Sequence, residues 1–231
     1  MKKIGLLIPS TNLTVENEIQ LLFEKAALKT EDICFYTSKL EYKTRYQENQ
    51  DKFLNELSDN SLVKIKELEH LEIDCFAFFC TTSALSNAKK EILNNPITAL
   101  TEAIDNCNIK KCLLITPYNN KLGNQVKDYL EKEGIEVAET INLDLSGTNN
   151  YFNYGKEELE DLIIKLYNPI FENIIISCTN LPTLHFIDRL EKQLNTKIIS
   201  SNSSLIWKIL RDNKIKNNSS ILGCLGGTNS G

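Results

Sequence analysis

Histidine is scarce in this sequence of 231 residues, which contains only His70 and His185. A histidine-based catalytic triad or a histidine-rich metal site therefore has little material to form from. The sequence also lacks a CxxC pair, a GxGxxG motif and a P-loop, the short patterns that indicate zinc, dinucleotide and nucleotide-phosphate sites. We predict no metal and no cofactor, so that acid–base chemistry falls to Cys, Asp, Glu, Lys or Tyr side chains.

Long hydrophobic runs and an excess of positive charge are missing too. No apolar run approaches the roughly 20 residues that cross a bilayer, and the first strand-like run, residues 4–8, is too short for a secretory signal. With 26 Lys and Arg against 31 Asp and Glu, the net charge is -5, and no basic stripe is visible. The sequence predicts a cytoplasmic protein with neither membrane nor nucleic-acid partners, and it leaves a homo-oligomer open.

The seven cysteines are odd in number and stand singly, which predicts neither a disulfide framework nor a zinc cluster. Free cysteine is among the most buried residue types, so core packing is the default role for any one of them. Two of the seven, Cys80 and Cys178, differ from the rest because each follows an apolar run and precedes small polar residues. These two are the candidate catalytic cysteines.

Apolar runs of strand length alternate with longer amphipathic stretches along the whole chain, a pattern typical of a mostly parallel sheet covered by helices. Residues 76–79 and 174–176 are apolar at successive positions, which predicts strands buried on both faces. The predicted strands are 3–8, 33–38, 73–79, 111–116, 135–142, 172–177, 197–200 and 219–223. The predicted helices are 14–28, 48–69, 84–93, 97–107, 119–133, 156–167, 183–194 and 203–212. The fold class is therefore α/β.

A faint internal repeat divides the chain into two similar halves. Residues 2–12 and 78–85 of the first half run parallel to residues 110–120 and 176–184 of the second. In both halves a buried strand ends in Cys-Thr, so the repeat gives Cys80 and Cys178 equivalent positions.

The repeat predicts two lobes related by a pseudo-twofold axis, each a mostly parallel sheet flanked by helices. The first lobe spans 1–107 and is joined by the C-terminal segment 209–231, and the second lobe spans 108–208. Ligands of parallel α/β sheets bind beyond the carboxyl ends of the strands, where both candidate cysteines fall. We therefore expect the active site in the cleft between the lobes.

Small polar residues surround both cysteines in the sequence. Thr81 and Thr179 follow them directly and offer hydroxyl groups, and the backbone N–H groups of a starting helix bind anions. The same donors stabilise a thiolate, the form of cysteine that attacks carbon or takes a proton. The sequence thus predicts a small mono- or dicarboxylate as the substrate.

Five blocks of the sequence occur in the order found in one enzyme family. Residues 4–18 read Ile-Gly-Leu-Leu-Ile-Pro-Ser-Thr-Asn-Leu-Thr-Val-Glu-Asn-Glu and resemble the opening of maleate cis-trans isomerases, G-x-x-x-P-S-S-N-T-x-x-E-x-E. The later blocks are Cys-Thr-Thr-Ser at 80–83, Thr-Pro-Tyr at 116–118, Cys-Thr-Asn-Leu-Pro at 178–182 and Ser-Ser-Asn at 200–202. The chain resembles this family, within the aspartate/glutamate racemase superfamily, along nearly its whole length.

The resemblance implies an isomerase that needs no cofactor and converts a small enediacid such as maleate to its trans isomer. It implies thiolate addition from Cys80, rotation about the former double bond, and elimination with Cys178 as acid/base. It also implies that Asn12 and Tyr118 hold a substrate carboxylate, together with a second-lobe asparagine that falls at Asn150 or at the adjacent Asn149. A helix cap at Asn12, and turn positions for the others, are the alternative local roles.

The sequence also departs from the family, and other functions stay open. The segment after the second strand lacks the arginine expected of a maleate enzyme, a charge that Lys39, Lys43 or Arg45 could supply. Two thiols on opposite faces of a carbon also suit an amino-acid racemase of the aspartate/glutamate type. A non-catalytic accessory protein that binds a small carboxylate is a further alternative. An arylmalonate-type decarboxylase is disfavoured by Cys80, because that branch normally keeps only the second-lobe cysteine.

Overall fold

The chain folds into two parallel β-sheets with helices packed on their faces, in a computed structural model that describes residues 1–25, 27–44, 48–86, 94–217 and 219–227. The strands are β1 (Lys2–Pro9), β2 (Ile33–Leu40), β3 (Cys75–Phe78), β4 (Lys111–Thr116), β5 (Glu136–Asn142), β6 (Asn173–Ile176) and β7 (Lys197–Ser200). The first sheet has the order β2-β1-β3 and the second β5-β4-β6-β7. All of these strand pairs are parallel.

The two sheets share one topology. Strand β1 lies between β2 and β3, as β4 lies between β5 and β6. A parallel bridge between Ala77 and Asn94 lies on the outer side of β3, where the second sheet has β7 beside β6. The predicted α/β class with two similar lobes is confirmed, while the residue boundaries of the lobes stay a prediction.

Helices connect the strands, and polar side chains start several of them. Asn119 accepts a hydrogen bond from the backbone of Leu122 at the start of α5, and Ser200 and Ser203 form a capping box at the start of α9. The helices are α1 (Val15–Glu24), α2 (Gln50–Glu67), α3 (Thr81–Ser86), α4 (Pro96–Asn106), α5 (Asn120–Lys132), α6 (Thr148–Glu157), α7 (Leu159–Leu166), α8 (Ile187–Leu194) and α9 (Ser201–Asp212).

Several predicted elements differ from the structure, among them the predicted helix 183–194, which begins only at Ile187 as α8, and the predicted helix 14–28, which ends at Glu24 as α1. The predicted strand 219–223 is wrong, because the segment Ser220–Leu225 forms a 3₁₀ turn in which Gly223 has a φ of 60° and interrupts any extended path. The predicted helix 156–167 is two helices, α6 and α7, and α6 begins already at Thr148. The predicted helix 84–93 begins earlier as α3, and residues 87–93 lie outside the described residues.

The core lies around the central strands. Residues 174–176 are fully buried, which confirms that β6 is covered on both faces. Residues 77–79 of the other predicted strand are buried too, but Phe76 is only partly buried. Across the part of the chain that the structure describes, every helix is too short or too polar to span a bilayer.

Candidate active site

A cavity of about 330 Å³ lies at the carboxyl ends of both sheets. Its walls come from the segments that follow strands β1 to β6 and from α2, so both sheets contribute to one site. This is the position at which α/β folds bind their ligands. The lining residues are Pro9, Thr11, Asn12, Tyr42, Phe53, Leu57, Cys80, Thr81, Thr82, Tyr118, Gly147, Thr148, Tyr151, Cys178, Thr179 and Asn180.

Cys80 lies between β3 and α3 with its side chain directed to donors at the start of the helix. Its Sγ is 3.8 Å from Oγ1 of Thr82, and the backbone N–H groups of Thr82 and Ser83 donate to it. Burial raises the pKa of the Cys80 thiol above its usual value, while these donors act in the opposite direction. The backbone donors stabilise a Cys80 thiolate, but burial has the larger effect. The thiolate is therefore the minor form at neutral pH.

Cys178 lines the same cavity from the segment after β6. The backbone N–H of Asn180 lies 3.3 Å from its Sγ, and the hydroxyl of Tyr118 also hydrogen-bonds this sulfur. Burial raises the pKa of Cys178 to about 11, although these donors offset part of the effect. Burial raises the pKa of Tyr118 as well, and the nearby thiols of Cys178 and Cys80 raise it further. Tyr118 thus lies beside both cysteines.

Asn12 uses both ends of its side-chain amide. Its Oδ1 accepts hydrogen bonds from the backbone of Thr14 at 2.9 Å and Val15 at 3.1 Å, so it closes a turn just before α1, whose N-cap residue is Thr14. Its Nδ2 donates to the carbonyl of Thr179 at 3.1 Å and makes a longer contact of 3.4 Å with the Thr179 hydroxyl. The amide is thereby fixed in orientation at the cavity wall.

Thr81 and Thr179 line the cavity, and their hydroxyl groups also join segments that follow different sheets. The Thr81 hydroxyl donates to Oγ of Ser201 at 3.1 Å, and the Thr179 hydroxyl donates to the carbonyl of Phe79 at 2.9 Å. The bond from Thr179 holds the two strand ends that carry the cysteines against each other, and the bond from Thr81 joins the Cys80 segment to the start of α9. The predicted threonines therefore contribute to the shape of the site.

Glu18 is a buried acidic residue outside the cavity lining, and the sequence pattern assigned no role to it. It accepts hydrogen bonds from the backbone of Thr183 at 2.6 Å and Leu184 at 2.9 Å, and from Nδ2 of Asn202 at 2.5 Å. Burial raises the pKa of Glu18 to about 7, against the effect of these donors. A signal was present, because Glu18 falls with Val15, Ile19 and Leu22 on the buried face of α1.

Asn150, the predicted second-lobe asparagine, is not brought to the cavity. Its side chain is exposed and donates to the carbonyl of Ser146 at 2.6 Å, and Asn149 is exposed as well. Thr148 and Tyr151, from the first turn of the same helix, line the cavity instead. The segment after β5 does reach the site, but through Thr148 and Tyr151 of α6 and not through the predicted asparagine, which was expected before a helix at 156–167.

The described residues that line the cavity carry no charged side chain. Lys39 forms an ion pair with Glu16 at 2.5 Å, and Lys43 is exposed, so neither lysine lies at the wall. Arg45 lies outside the described residues. Within those residues, no group of three or more His, Cys, Asp and Glu side chains is placed to hold a metal ion.

Known proteins resemble the chain in sequence and in fold. A maleate isomerase of Geobacillus stearothermophilus is 25% identical over 236 residues, which cover 93% of this chain and 92% of that protein. A maleate isomerase variant from Pseudomonas putida S16, solved with maleate, has a TM-score of 0.86 at 22% identity and covers 98% of both chains. A Nocardia farcinica maleate cis-trans isomerase variant with a covalently bound succinylcysteine intermediate has a TM-score of 0.77 at 17% identity, covering 93% of this chain and 94% of that one.

A family model confirms the relationship that the five sequence blocks indicate. The model described as arylmalonate decarboxylase matches residues 82–225, which is more than half of the chain. The matched range includes Tyr118 and Cys178, while Cys80 lies just before it. The chain belongs to the arylmalonate decarboxylase family, and its full-length curated relatives are maleate isomerases.

Proposed function

We propose that this chain is a cis-trans isomerase that needs no cofactor and converts a small enediacid such as maleate to its trans isomer. The joint presence of Cys80 and Cys178 in one cavity, with Tyr118 beside both, carries this assignment. The similarity to maleate isomerases along almost the whole chain supports it. The reducing cytoplasm keeps such thiols available, and we place the enzyme there.

Cys80 acts as the nucleophile. Its thiolate adds to one alkene carbon, and the electron pair of the double bond moves toward the carboxylate on the other carbon. The backbone N–H groups of Thr82 and Ser83 donate to this thiolate before the addition, and they stabilise it again when elimination releases it. Once the double bond has become a single bond, the intermediate can rotate.

Cys178 acts as the acid and then as the base for the substrate carbon. As a thiol it protonates the carbon that has gained the electron pair, and a thioether of the saturated diacid results. Its thiolate, which Tyr118 and the N–H of Asn180 stabilise, then removes a proton from the same carbon. The bond between carbon and the Cys80 sulfur breaks, and the double bond re-forms in the trans arrangement.

Neutral donors hold the carboxylates in this proposal, because the described part of the cavity wall carries no cation. Asn12 is fixed at the wall by its bonds to Thr179. The Tyr118 hydroxyl donates to the carboxylate while Cys178 is a thiol, and to the Cys178 sulfur once that sulfur is a thiolate. Fixed donors stabilise developing charge better than mobile ones. The hydroxyl of Thr148 is a further donor within the lining. Oriented hydrogen-bond donors therefore stabilise the negative charge that develops on the intermediate.

An amino-acid racemase would use the same two thiols but needs a partner for the substrate ammonium group. The described lining residues include no Asp or Glu side chain that could pair with it. A non-catalytic binding protein has no need for two thiols with a shared tyrosine. The isomerase is therefore the function that the site supports best.

Proton NMR of the purified protein with maleate in heavy water tests the proposal. The trans isomer should appear without added metal or cofactor, and chelator should leave its rate unchanged. Aspartate and glutamate in parallel samples should keep their Cα protons. Unchanged maleate together with solvent deuterium at Cα of an amino acid would identify a racemase, and no reaction with any substrate would favour a binding protein.

A further inference from the structure

Two cysteines outside the cavity, Cys107 and Cys224, lie with their sulfur atoms 3.1 Å apart. This is closer than the contact of about 3.5 to 4.0 Å that even the smaller carbon atoms prefer. The two residues are 117 positions apart in the sequence, so tertiary packing alone brings them together. A disulfide needs a further approach of only about 1 Å between these atoms, to roughly 2.05 Å.

The backbone at both ends of this pair is fixed. Cys107 ends α4, and its carbonyl accepts a hydrogen bond from Nζ of Lys197 at 2.5 Å. Cys224 follows Gly223, whose φ of 60° turns the chain at a point where a Cβ atom would lie 2.7 Å from Oε2 of Glu191. This kink sets the position of the Cys224 thiol, and a larger residue at Gly223 would displace it.

The groups around the pair make the two thiols unequal. The hydrogen bond with Cys224, and then the ammonium group of Lys197, lower the pKa of Cys107 despite its burial. The pKa of Cys224 is raised, first by its bond to Cys107, then by burial and by the charges of Cys107 and Glu191. Cys107 is therefore the thiol of the pair that loses its proton more readily, and Cys224 is the one that donates the hydrogen bond to it.

We propose that Cys107 and Cys224 form a redox pair that a peroxide closes to a disulfide and a thiol reductant reopens. The Cys107 thiolate attacks one peroxide oxygen, the O–O bond breaks, and a sulfenic acid and water form once a proton is taken up. The Cys224 sulfur then attacks the sulfenic sulfur, and a second water leaves with the Cys224 proton. In sum two thiols and hydrogen peroxide give one disulfide and two waters, with two electrons passing from sulfur to oxygen.

The disulfide would join the end of α4 to the C-terminal segment that packs on α8 and α9. In a reducing compartment such a bond is transient, which suits a response to oxidant. This chemistry is separate from the reaction at Cys80, so its failure would leave the isomerase proposal untouched.

Peptide mapping tests the pair directly in the full-length protein. The protein is treated with equimolar hydrogen peroxide, blocked with N-ethylmaleimide and digested with trypsin without reductant. We expect a cross-linked species that joins the tryptic peptides 91–110 and 217–231 and disappears with dithiothreitol. Recovery of both peptides in separate, alkylated form while other cysteines are oxidised would overturn the proposal, as would cross-links from either peptide to a different cysteine.

Variants separate this pair from the thiols of the cavity. The cross-link should form unchanged when Cys80 and Cys178 are both replaced by serine, and also in the control Cys34→Ser. In Cys224→Ser the cross-link should be lost, and dimedone should label Cys107 instead, while isomerase activity stays at the wild-type level. Dimedone labelling of Cys224 in Cys107→Ser would contradict the assigned roles. If either variant fails to fold, the wild-type digest alone decides.

Discussion

Glu18 of α1 and Asn202 of α9 are joined by a buried hydrogen bond of 2.5 Å, in which the amide nitrogen donates to Oε2 of the carboxylate. Asn202 also donates to the carbonyl of Thr179 at 3.1 Å, directly beside Cys178. A carboxyl group on α1, which follows β1 of the first sheet, therefore fixes the strand end of the second sheet that carries an active-site thiol.

The stability of the protein should depend on the protonation of Glu18. Burial raises its pKa from 4.5 to about 7, so the stabilisation that it provides is complete below about 4.5 and is lost as pH rises through about 7. Chemical denaturation across this range should show the free energy of unfolding falling with pH by an amount on the order of 1 to 3 kcal/mol. Glu18→Gln should remove this slope.

The matched control for Glu18→Gln is Glu16→Gln, which alters an exposed carboxyl group of the same helix. This control should keep the wild-type slope. A Glu18→Gln variant that retains the full pH dependence would show that another group produces it.

The hydroxyl group of Tyr118 should contribute to catalysis. In Tyr118→Phe the ring still fills its buried place, but Cys178 loses one of its donors. We expect kcat to fall by about 10²-fold, since one oriented donor in a buried site typically contributes that much. Alkylation rates measured against pH should also show the Cys178 pKa rising further. Wild-type turnover in this variant would exclude a role for the hydroxyl.

Activity should rise from neutral toward alkaline pH. Burial raises the pKa of Cys80 and raises that of Cys178 to about 11, so thiolate is the minor form at neutral pH. While the protein stays folded, kcat/KM should increase by up to about tenfold per pH unit, as the thiolate fraction does. Initial rates should be followed with circular dichroism of the same samples. A rate that declines above neutral pH in folded protein would contradict this account.

The position of helix α6 depends on the close contact between Gly155 and Pro182. A Cβ atom at Gly155 would lie 2.5 Å from Cδ of Pro182, so Gly155→Ala should move the helix and with it Thr148 and Tyr151 at the cavity wall. We expect a loss of about 1 to 3 kcal/mol in unfolding free energy and a raised KM. The control Asn150→Ala, on the exposed side of the helix, should leave KM unchanged, and a raised KM there would restore Asn150 as a binding residue.

Much of the site was predictable because its residues follow strands. Cys80 and Cys178 each follow a short apolar run, and the repeat makes their positions equivalent, so both sheets were expected to present them at one edge. Asn12 and Tyr118 came from the family resemblance rather than from the pattern alone. The structure adds that Asn12 forms a turn before α1, whose N-cap is Thr14, and that its amide also donates to Thr179.

The rest of the site depends on contacts between distant segments. Helix α6 is rich in Asn, Tyr and Phe, which are poor helix formers, and its place is set by Gly155 packing on Pro182. The buried Glu18 accepts a hydrogen bond from Asn202, which is 184 positions away in the sequence. Local periodicity carries no information on such pairs, and it misled at 219–223, where apolar residues pack in a 3₁₀ turn around Gly223.

The unequal roles of the two site cysteines can be tested by replacing each in turn. Cys80→Ala and Cys80→Ser should both abolish turnover, because an alanine cannot add to the alkene and a serine hydroxyl is hardly ionised near neutral pH. Cys178→Ser should retain a trace of activity, reduced by about 10² to 10⁴-fold as is typical for loss of an acid/base group.

Mass spectrometry of Cys178→Ser after incubation with maleate tests the covalent mechanism most directly. Without an efficient base the thioether should persist, and the account predicts one diacid attached to the peptide that carries Cys80, with none on that peptide in a Cys80→Ser and Cys178→Ser double variant. An adduct found only at Cys178 in the wild-type protein, or full turnover in Cys80→Ala, would contradict it.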